Sequence, residues 1–556
     1  MIIAFKIDND SISSEVGKVT GPKSWICDGV PKDGKSYNSA GPHPPHENYG
    51  PDCEMCGLPR EAMSVGKTVA KTVVSGGGSK VSAGVVVAVV ALLLIFGSVG
   101  WFLFRPKPSP EPESETGVVT NGGAVTAADP IALVSDTAVN GSLISQGEKI
   151  LLSGGGNFQL KTEAATAFAA KDWNGAIQKY QQATAQDAND PEAKIYLNNA
   201  RAKQAGNVMA LAVVVPITPS PNEAREVLRG VAQYQDEFNR NNPAQFLEVV
   251  VVDERQASLA DSLAQDLIGS SLNVLAVLGH GVDSNSRQAL GNYEKNKIAA
   301  LSPLNTAITK NDTGGSTVRT IPASQATTLL NSYLQKVGST LANYAVKNNT
   351  AAVAVFYNSD SPYSEQMKNE FVSALSAGGG QAVQVVDIMA PDFDAATAIN
   401  NVQQAGAKAA FLALSKNKVD AAVAIAKANN NQMALLAGDE LYNPTLLVQG
   451  GEAVAGTVLA VPWRWRQDDP FARDAANLWQ GRVSWRTATT YDATRALAIV
   501  LTDHPGDRAA ISAALNQGIT VNNTATEFDL FQDIPLVKAV EGKSGPTGSR
   551  YQFDPM

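Results

Sequence analysis

The chain's three cysteines, Cys27, Cys53 and Cys56, all lie near its beginning. Cys53-Glu54-Met55-Cys56 runs straight into Gly57, a spacing at which two thiolates reach one metal ion while the glycine permits the tight turn. Cys27 is the obvious third ligand, and His43 or His46 completes a set of three cysteines and one histidine, so the expectation is a structural zinc ion. The residues between are rich in Gly, Pro and Asn and poor in apolar types, so such a head, spanning 1–66, would draw much of its folding energy from the metal. A closed coordination shell assigns no catalysis to it. Two alternatives stand beside this one: an unstructured tail with incidental cysteines, and a redox pair, which would ordinarily sit beside a βαβ pattern that is missing here.

Other catalytic chemistries find no support. There is no serine-hydrolase elbow, phosphate-binding loop, His-Glu-x-x-His pair or dinucleotide fingerprint, and no cysteine beyond the head, so no enzymatic activity is expected. A net charge of -9 without a dense basic patch argues against nucleic acid. Trp463-Arg464-Trp465-Arg466 is too short for a nucleic-acid surface and suits a hinge or cleft rim, while His280, just after an expected strand, suits orienting a loop.

The elements that would carry these residues divide the chain. Val81 to Phe104 contains no charged residue. As a helix it would be about 36 Å long, enough to cross a bilayer core. Arg60, Lys67, Lys71 and Lys80 before it outweigh Arg105 and Lys107 after it, which predicts a cytoplasmic head and a body outside the cytoplasm, at an inner or plasma membrane. The cysteine-free body agrees with that placement. A linker (67–80) precedes the expected span and a Pro/Glu-rich stalk (105–123) follows it. From 124 to 206 the pattern is helical. Ile144 to Glu148 is expected to introduce a short helix ending near the glycine run 154–156, followed by amphipathic helices at Ala164–Lys171 and Trp173–Asp187, and a third opened by Asp190 and Pro191. The stretch FAAKDWNGAIQKYQQATAQDANDPEAKIYLNNA resembles one tetratricopeptide-type repeat and the first helix of another, which implies a spacer or docking platform.

From Val208 onward, continuous apolar runs alternate with amphipathic segments. Such runs are strands covered on both faces, and their order predicts βαβ units in largely parallel sheets. The length from 207 to 556 exceeds one comfortable core, so two lobes are expected: 207–327 with part of 462–556, and 328–461. Ligands of such sheets sit beyond the carboxyl ends of the strands.

Several segments, in order, resemble the type I periplasmic binding proteins of the leucine/isoleucine/valine- or amide-binding kind. These are VLGHGVDSNSRQALGNYEKNKIAALSPLNTAIT, VRTIPASQATTLLNSYL, AVAVFYNSDSPYSEQMKNEFVSAL, TYDATRALAIVL and YQFDPM. With the head, span and helical segment, the whole resembles a membrane-anchored receptor-type variant of the sort found in cyanobacteria. The resemblance implies a bilobed α/β fold. It also implies a cradle for a ligand carboxylate made by a serine and backbone amides after one strand and a threonine after the next. Thr306 matches the threonine; the serine position carries Asp283, with Ser284 one place later. An aspartate there would repel a carboxylate, so either the register shifts to Ser284 or the ligand is not a simple α-amino acid. The resemblance further places Tyr363 as the aromatic that closes over the ligand, and Asp439 or Glu440 as the acid that neutralises an ammonium.

The expected function is capture of a small polar metabolite, an amino acid or amide, by cleft closure outside the cytoplasm, for an ABC permease or for sensing. The rival is a protein-interaction or structural receptor whose cleft has lost its small ligand.

Overall fold

The computed structural model describes residues 25–27, 30–32, 46–48, 53, 58, 60–63, 143–280, 284–302, 307–310, 315–320, 323–525, 534–543 and 549–556. The expected span 81–104, with its linker and stalk, lies outside the described residues, as do His43 and Cys56. Among the described residues, no helix is long and apolar enough to cross a membrane.

In the head, β1 (Trp25–Cys27) pairs antiparallel with β2 (His46–Asn48), and the register sets Cys27 opposite His46. Cys27, Cys53, Leu58 and Ala62 form a small buried cluster. The Cys53 amide donates to the Leu58 carbonyl at 2.7 Å. Among the described residues, no group of three or more His, Cys, Asp or Glu is arranged to hold a metal.

The helical segment differs from expectation at its start. Ile144–Glu148 is not a helix: β3 (Ile144–Ser145) pairs antiparallel with a strand of the first lobe and then bends. Ser145 Oγ donates to the Lys149 carbonyl (2.8 Å) and accepts from the Gly147 amide (3.0 Å). Such side-chain bonds compete with helical ones. Three helices follow, α1 (Phe158–Ala169), α2 (Trp173–Gln186) and α3 (Pro191–Ala205), the last with Pro191 in its first turn and Asp190 accepting from the Ala193 amide at 3.0 Å. Lys161, only 1 % exposed, pairs with Asp190 (2.9 Å) and Glu192 (2.7 Å) and locks α1 to α3.

The first lobe then builds β4 (Val208–Val215), α4 (Pro221–Asn241), β5 (Phe246–Asp253), α5 (Ala260–Gly269), β6 (Val274–Gly279), α6 (Ser284–Lys295) and β7 (Ala299–Leu301). Its sheet runs β3-β5-β4-β6-β7, parallel except for β3. Seven of the eight residues of β4 are buried, which is why its sequence shows no alternation. Helix α3 closes the open stretch of the β5 edge. The Asn199 amide donates to the Val249 carbonyl (2.7 Å) and accepts from the Val249 amide (2.9 Å), and Lys203 pairs with Glu248 at 2.7 Å. Helices α1–α3 and the β4, β5 and α4 core residues belong to one continuous apolar cluster, so 143–205 is packed into this lobe rather than standing apart from it.

Strands β8 (Ala307–Lys310) and β9 (Ser316–Arg319) lead to α7 (Ala326–Lys347) and the second lobe. It comprises β10 (Ala352–Tyr357), α8 (Pro362–Ala377), β11 (Gln381–Asp387), α9 (Ala395–Gln404), β12 (Ala409–Ala413), α10 (Val419–Asn429), β13 (Ala434–Ala437), α11 (Pro444–Gly450) and β14 (Val458–Ala460). The chain then returns to the first lobe with α12 (Pro470–Trp479), α13 (Trp485–Asp503), α14 (Arg508–Gln517) and β15 (Ile519–Val521), the last joining β9 and β8 in a three-stranded sheet. Finally β16 (Leu536–Glu541) and β17 (Tyr551–Pro555) cross back. The second sheet reads β11-β10-β12-β13-β14-β16-β17, its last two strands antiparallel. Trp463 to Arg466 lies at the return crossover. The Trp463 indole is buried and donates to Asp469 (3.2 Å), the cap of α12, while the Arg482 guanidinium covers the Trp465 ring at 4.0 Å.

One helix pair in each lobe crosses at a glycine. A Cβ on Gly230 (α4) would stand 2.5 Å from the Thr487 carbonyl and 2.7 Å from the Tyr491 amide of α13. One on Gly338 (α7) would stand 2.7 Å from the Phe371 amide of α8. Gly230→Ala and Gly338→Ala are each expected to cost about 1–3 kcal/mol by overpacking. Gly269→Ala, where nothing lies within 4 Å, should be neutral or slightly stabilising. Urea-unfolding midpoints of the three variants check this; equal midpoints would contradict the close crossings.

Candidate interlobe binding site

The carboxyl ends of both parallel sheets meet across one gap. From the first lobe come the amino terminus of α4 after β4, Glu254 after β5, and His280 after β6. From the second come Asn358 to Tyr363 after β10, Ser415 and Lys416 after β12, and Asp439 to Asn443 after β13. Polar side chains tie these loops together. Buried Asn358 donates to Ser415 Oγ (2.9 Å) and accepts from the Ser415 amide (3.0 Å). Ser364 donates to the Ala413 carbonyl at 2.5 Å and accepts from the Asn358 amide at 2.8 Å. His280 sits at φ +57 with its ring nitrogens 3.3 Å from Glu254 Oε1 and 3.0 Å from the Tyr293 hydroxyl, so it holds the loop after β6.

Among the expected ligand residues, the fold brings Tyr363 and Asp439 together. Ser361 caps α8 and Pro362 opens it, so Tyr363 stands in its first turn. The Tyr363 hydroxyl donates to Asp439 Oδ1 at 2.9 Å. Tyr333, from α7, approaches the same carboxylate. Glu440 turns elsewhere and accepts the Lys416 amide at 2.7 Å. Ser284 opens α6; Asp283 and Thr306 lie outside the described residues.

The most consequential charged residues here were not singled out from sequence. Lys416 of the second lobe pairs with Glu223 of α4 at 2.8 Å, and Arg486, in the first turn of α13, lies 4.0 Å from Glu223 and donates to the Tyr442 carbonyl (3.1 Å). The Lys416–Glu223 pair and the Arg486–Tyr442 bond join the lobes. The available signals were faint: an acid in the first turn of a Pro-initiated helix, and an arginine among small residues in SWRTATTYDAT.

Burial sets the electrostatics. It pushes the Asp439 carboxyl up from its ordinary range, although Arg486 and the Tyr363 hydroxyl favour the charged form. It would raise Glu223 too, but Lys416 and Arg486 outweigh it and hold that carboxyl low. Burial would lower Lys416, yet Glu223 and Glu440 keep its ammonium raised. Glu440 is pushed up to about 7, by burial first and by neighbouring Asp439 and Glu223, against the pull of Lys416.

Residues 209–533 match the sequence profile described as periplasmic binding protein. The chain belongs to the periplasmic binding protein family. A direct comparison with curated proteins finds no match. Solved structures share the fold. One is a solute binding protein of an ABC transporter from Rhodopseudomonas palustris in complex with 3,4-dihydroxy benzoic acid, at 15% identity and TM-score 0.50, covering 63% of this chain and 96% of that one. Another is a leucine binding protein from Thermotoga maritima, at 19% identity and TM-score 0.47, covering 62% and 97%. A third is a branched-chain amino acid transporter substrate binding protein from Streptococcus pneumoniae in complex with isoleucine, at 15% and 0.49, covering 63% and 99%. For the first of these the likeness is one of fold alone. The family is one of binding proteins.

The Glu440 shift has a sign. Its folded value of about 7 exceeds the ordinary 4.5, so between those pH values the folded chain holds a proton the unfolded chain has lost, and stability falls as pH rises through that window. The loss is on the order of 2–3 kcal/mol. Glu440→Gln should flatten the slope, measured as urea midpoints across the window; an unchanged slope would assign the titration elsewhere.

Proposed function

We propose that the body captures a small polar ligand between its lobes outside the cytoplasm, for uptake through an ABC-type permease or for sensing. One observation carries this: polar and charged side chains from the carboxyl ends of two separate parallel sheets meet across a single gap, with the Lys416–Glu223 pair reaching from lobe to lobe. In such a device the ligand favours the closed arrangement only by binding it more tightly than the open one. Tyr363 covers the ligand, with Thr306 and Ser284 or Asp283 receiving its polar end; Asp439 and Glu440 line the opposite wall. An amino acid or amide is the first class to test, and the aromatic acid in the complex with 3,4-dihydroxy benzoic acid adds a second.

Titration calorimetry of the protein with amino acids, amides and aromatic acids tests this. Saturable heat at micromolar ligand is expected, weakened at least about tenfold by Tyr363→Ala or Thr306→Ala, a loss of about 1.4 kcal/mol or more. Absence of heat across the panel would overturn ligand capture and favour the rival, an interaction receptor. The rival draws on the engagement of Asp439 by the protein's own Tyr363 and Arg486.

Residues 81–104 are proposed as a single membrane anchor, with the head cytoplasmic and residues 124–206 a tetratricopeptide-like adaptor. The register of Cys27 opposite His46 across β1 and β2, and the bond from the Cys53 amide to the Leu58 carbonyl, support a structural zinc site completed by Cys56 and His43 or His46. Elemental analysis should find about one zinc per chain, lost when Cys53 and Cys56 are both replaced by serine. Metal content unchanged by that replacement would refute the assignment.

A further inference from the structure

A cavity of about 610 Å³ opens between the lobes, and three charged side chains on its lining meet where the lobes touch. Lys416, leaving β12 of the second lobe, reaches Glu223 in the first turn of α4 of the first lobe at 2.8 Å. Glu440, leaving β13 of the second lobe, stands beside the same lysine and accepts its backbone amide at 2.7 Å. One cation therefore faces two carboxylates, one from each lobe. Their surroundings differ. Arg486 of α13 lies 4.0 Å from Glu223 and, with Lys416, holds that carboxyl low, so Glu223 is charged at neutral pH. Glu440 meets Asp439 on its own turn, Glu223 from α4 and Lys416 from the loop after β12. The other charges nearby are engaged elsewhere: Glu226 with Arg229, Arg482 with Asp554, and Lys418 with Asp360 at 2.9 Å. Asp420 of α10 shares the cavity lining and adds another negative charge, while the Tyr363 hydroxyl donates to Asp439 at 2.9 Å and Tyr333 approaches the same carboxylate.

Two states of Glu440 give Lys416 different choices. Ionised, Glu440 offers the lysine an anion within its own lobe and repels Glu223 across the gap. Protonated, it leaves Glu223, on the other lobe, as the anion that Lys416 pairs with. We propose that Glu440 is a positioning residue that controls the lobe-to-lobe link by its proton, its neutral form committing Lys416 to Glu223 and favouring closure, its charged form loosening the lobes. Lys416 is 39 % exposed, so the link is weak enough for one charge to tip it. The sign follows from proton linkage. Closure buries Glu440 and brings Glu223 against it, so the closed arrangement holds the Glu440 proton more tightly than an open one would. Glu440 in this arrangement is pushed up to about 7, which places the change near neutrality: closure is favoured below that value and lost as pH rises through it. The proposal requires that the lobes separate and is independent of which ligand they capture.

Double electron–electron resonance on the ligand-free full chain tests this, with spin labels on keto-bearing residues placed at exposed Gln265 of α5 and Gln404 of α9, which leaves the native cysteines untouched. The ratio of short to long interlobe distances should fall by about fivefold from about pH 6 to about pH 8. Glu440→Gln should stay at the short distance throughout, and Glu440→Asp should retain a pH response. Identical distributions at the two pH values in the unaltered chain, or a full pH response in Glu440→Gln, would overturn the proposal, while calorimetric ligand binding stands or falls separately. Should Glu440→Gln fail to fold, Glu223→Gln takes its place: it removes the charge that Glu440 faces, so its pH response should shrink, and survival of the full response would overturn the proposal.

Discussion

Two sheets whose central strands are buried on both faces constrain everything else in the body. Strands such as β4 and β6 have no solvent face, so helices must cover each side, and parallel pairing forces every connection to return through one of those helices. All the strand carboxyl ends of a lobe then fall on one side. Loops leaving those ends carry polar side chains inward, and the chain's repeated crossing between lobes brings both sets of loops to one gap. Gly230 and Gly338 serve this constraint, since they let the covering helices approach closely enough to seal the apolar faces.

The gap is then a problem in charge. Lys416, Arg486, Glu223, Asp439 and Glu440 converge where water is partly excluded, and charges there are tolerated only when paired or hydrogen-bonded. The acids meet that condition: Glu223 pairs with Lys416, Asp439 accepts from the Tyr363 hydroxyl and Glu440 accepts from the Lys416 amide. Lys416 remains 39 % exposed, so its bond to Glu223 is screened and weak compared with a fully buried pair. A link of that kind positions the lobes without welding them.

The helical segment ahead of the body meets a different demand. The β5 edge, paired with β3 only at Val251 and Val252, would otherwise present unpaired backbone groups at Val249. Asn199 supplies both a donor and an acceptor there, acting as a side-chain substitute for a strand. The buried pairs Lys161 with Asp190 and Glu192, and Lys203 with Glu248, fix how the helices dock, since removing one partner would strand a charge in the core.

Continuous apolar runs separated by amphipathic ones determined the alternation of strands and helices and the presence of two lobes, because burial on both faces leaves a mark in local composition. Asp190 with Pro191, and Ser361 with Pro362, set helix starts for the same local reason: capping involves residues three apart. Tyr363 was named through the family resemblance, and the fold stands it in the first turn of α8 beside Asp439. Ile144 misled because the choice between strand and helix there was made by the distant β5 edge, which pairs with it. The bond between Glu223 and Lys416, the approach of Arg486, and the neutralisation of Asp439 join residues far apart in the chain, and only the folded sheets bring them within reach. Their protonation is set by burial together with the charges it brings close, properties of the assembled lobes that no single segment possesses.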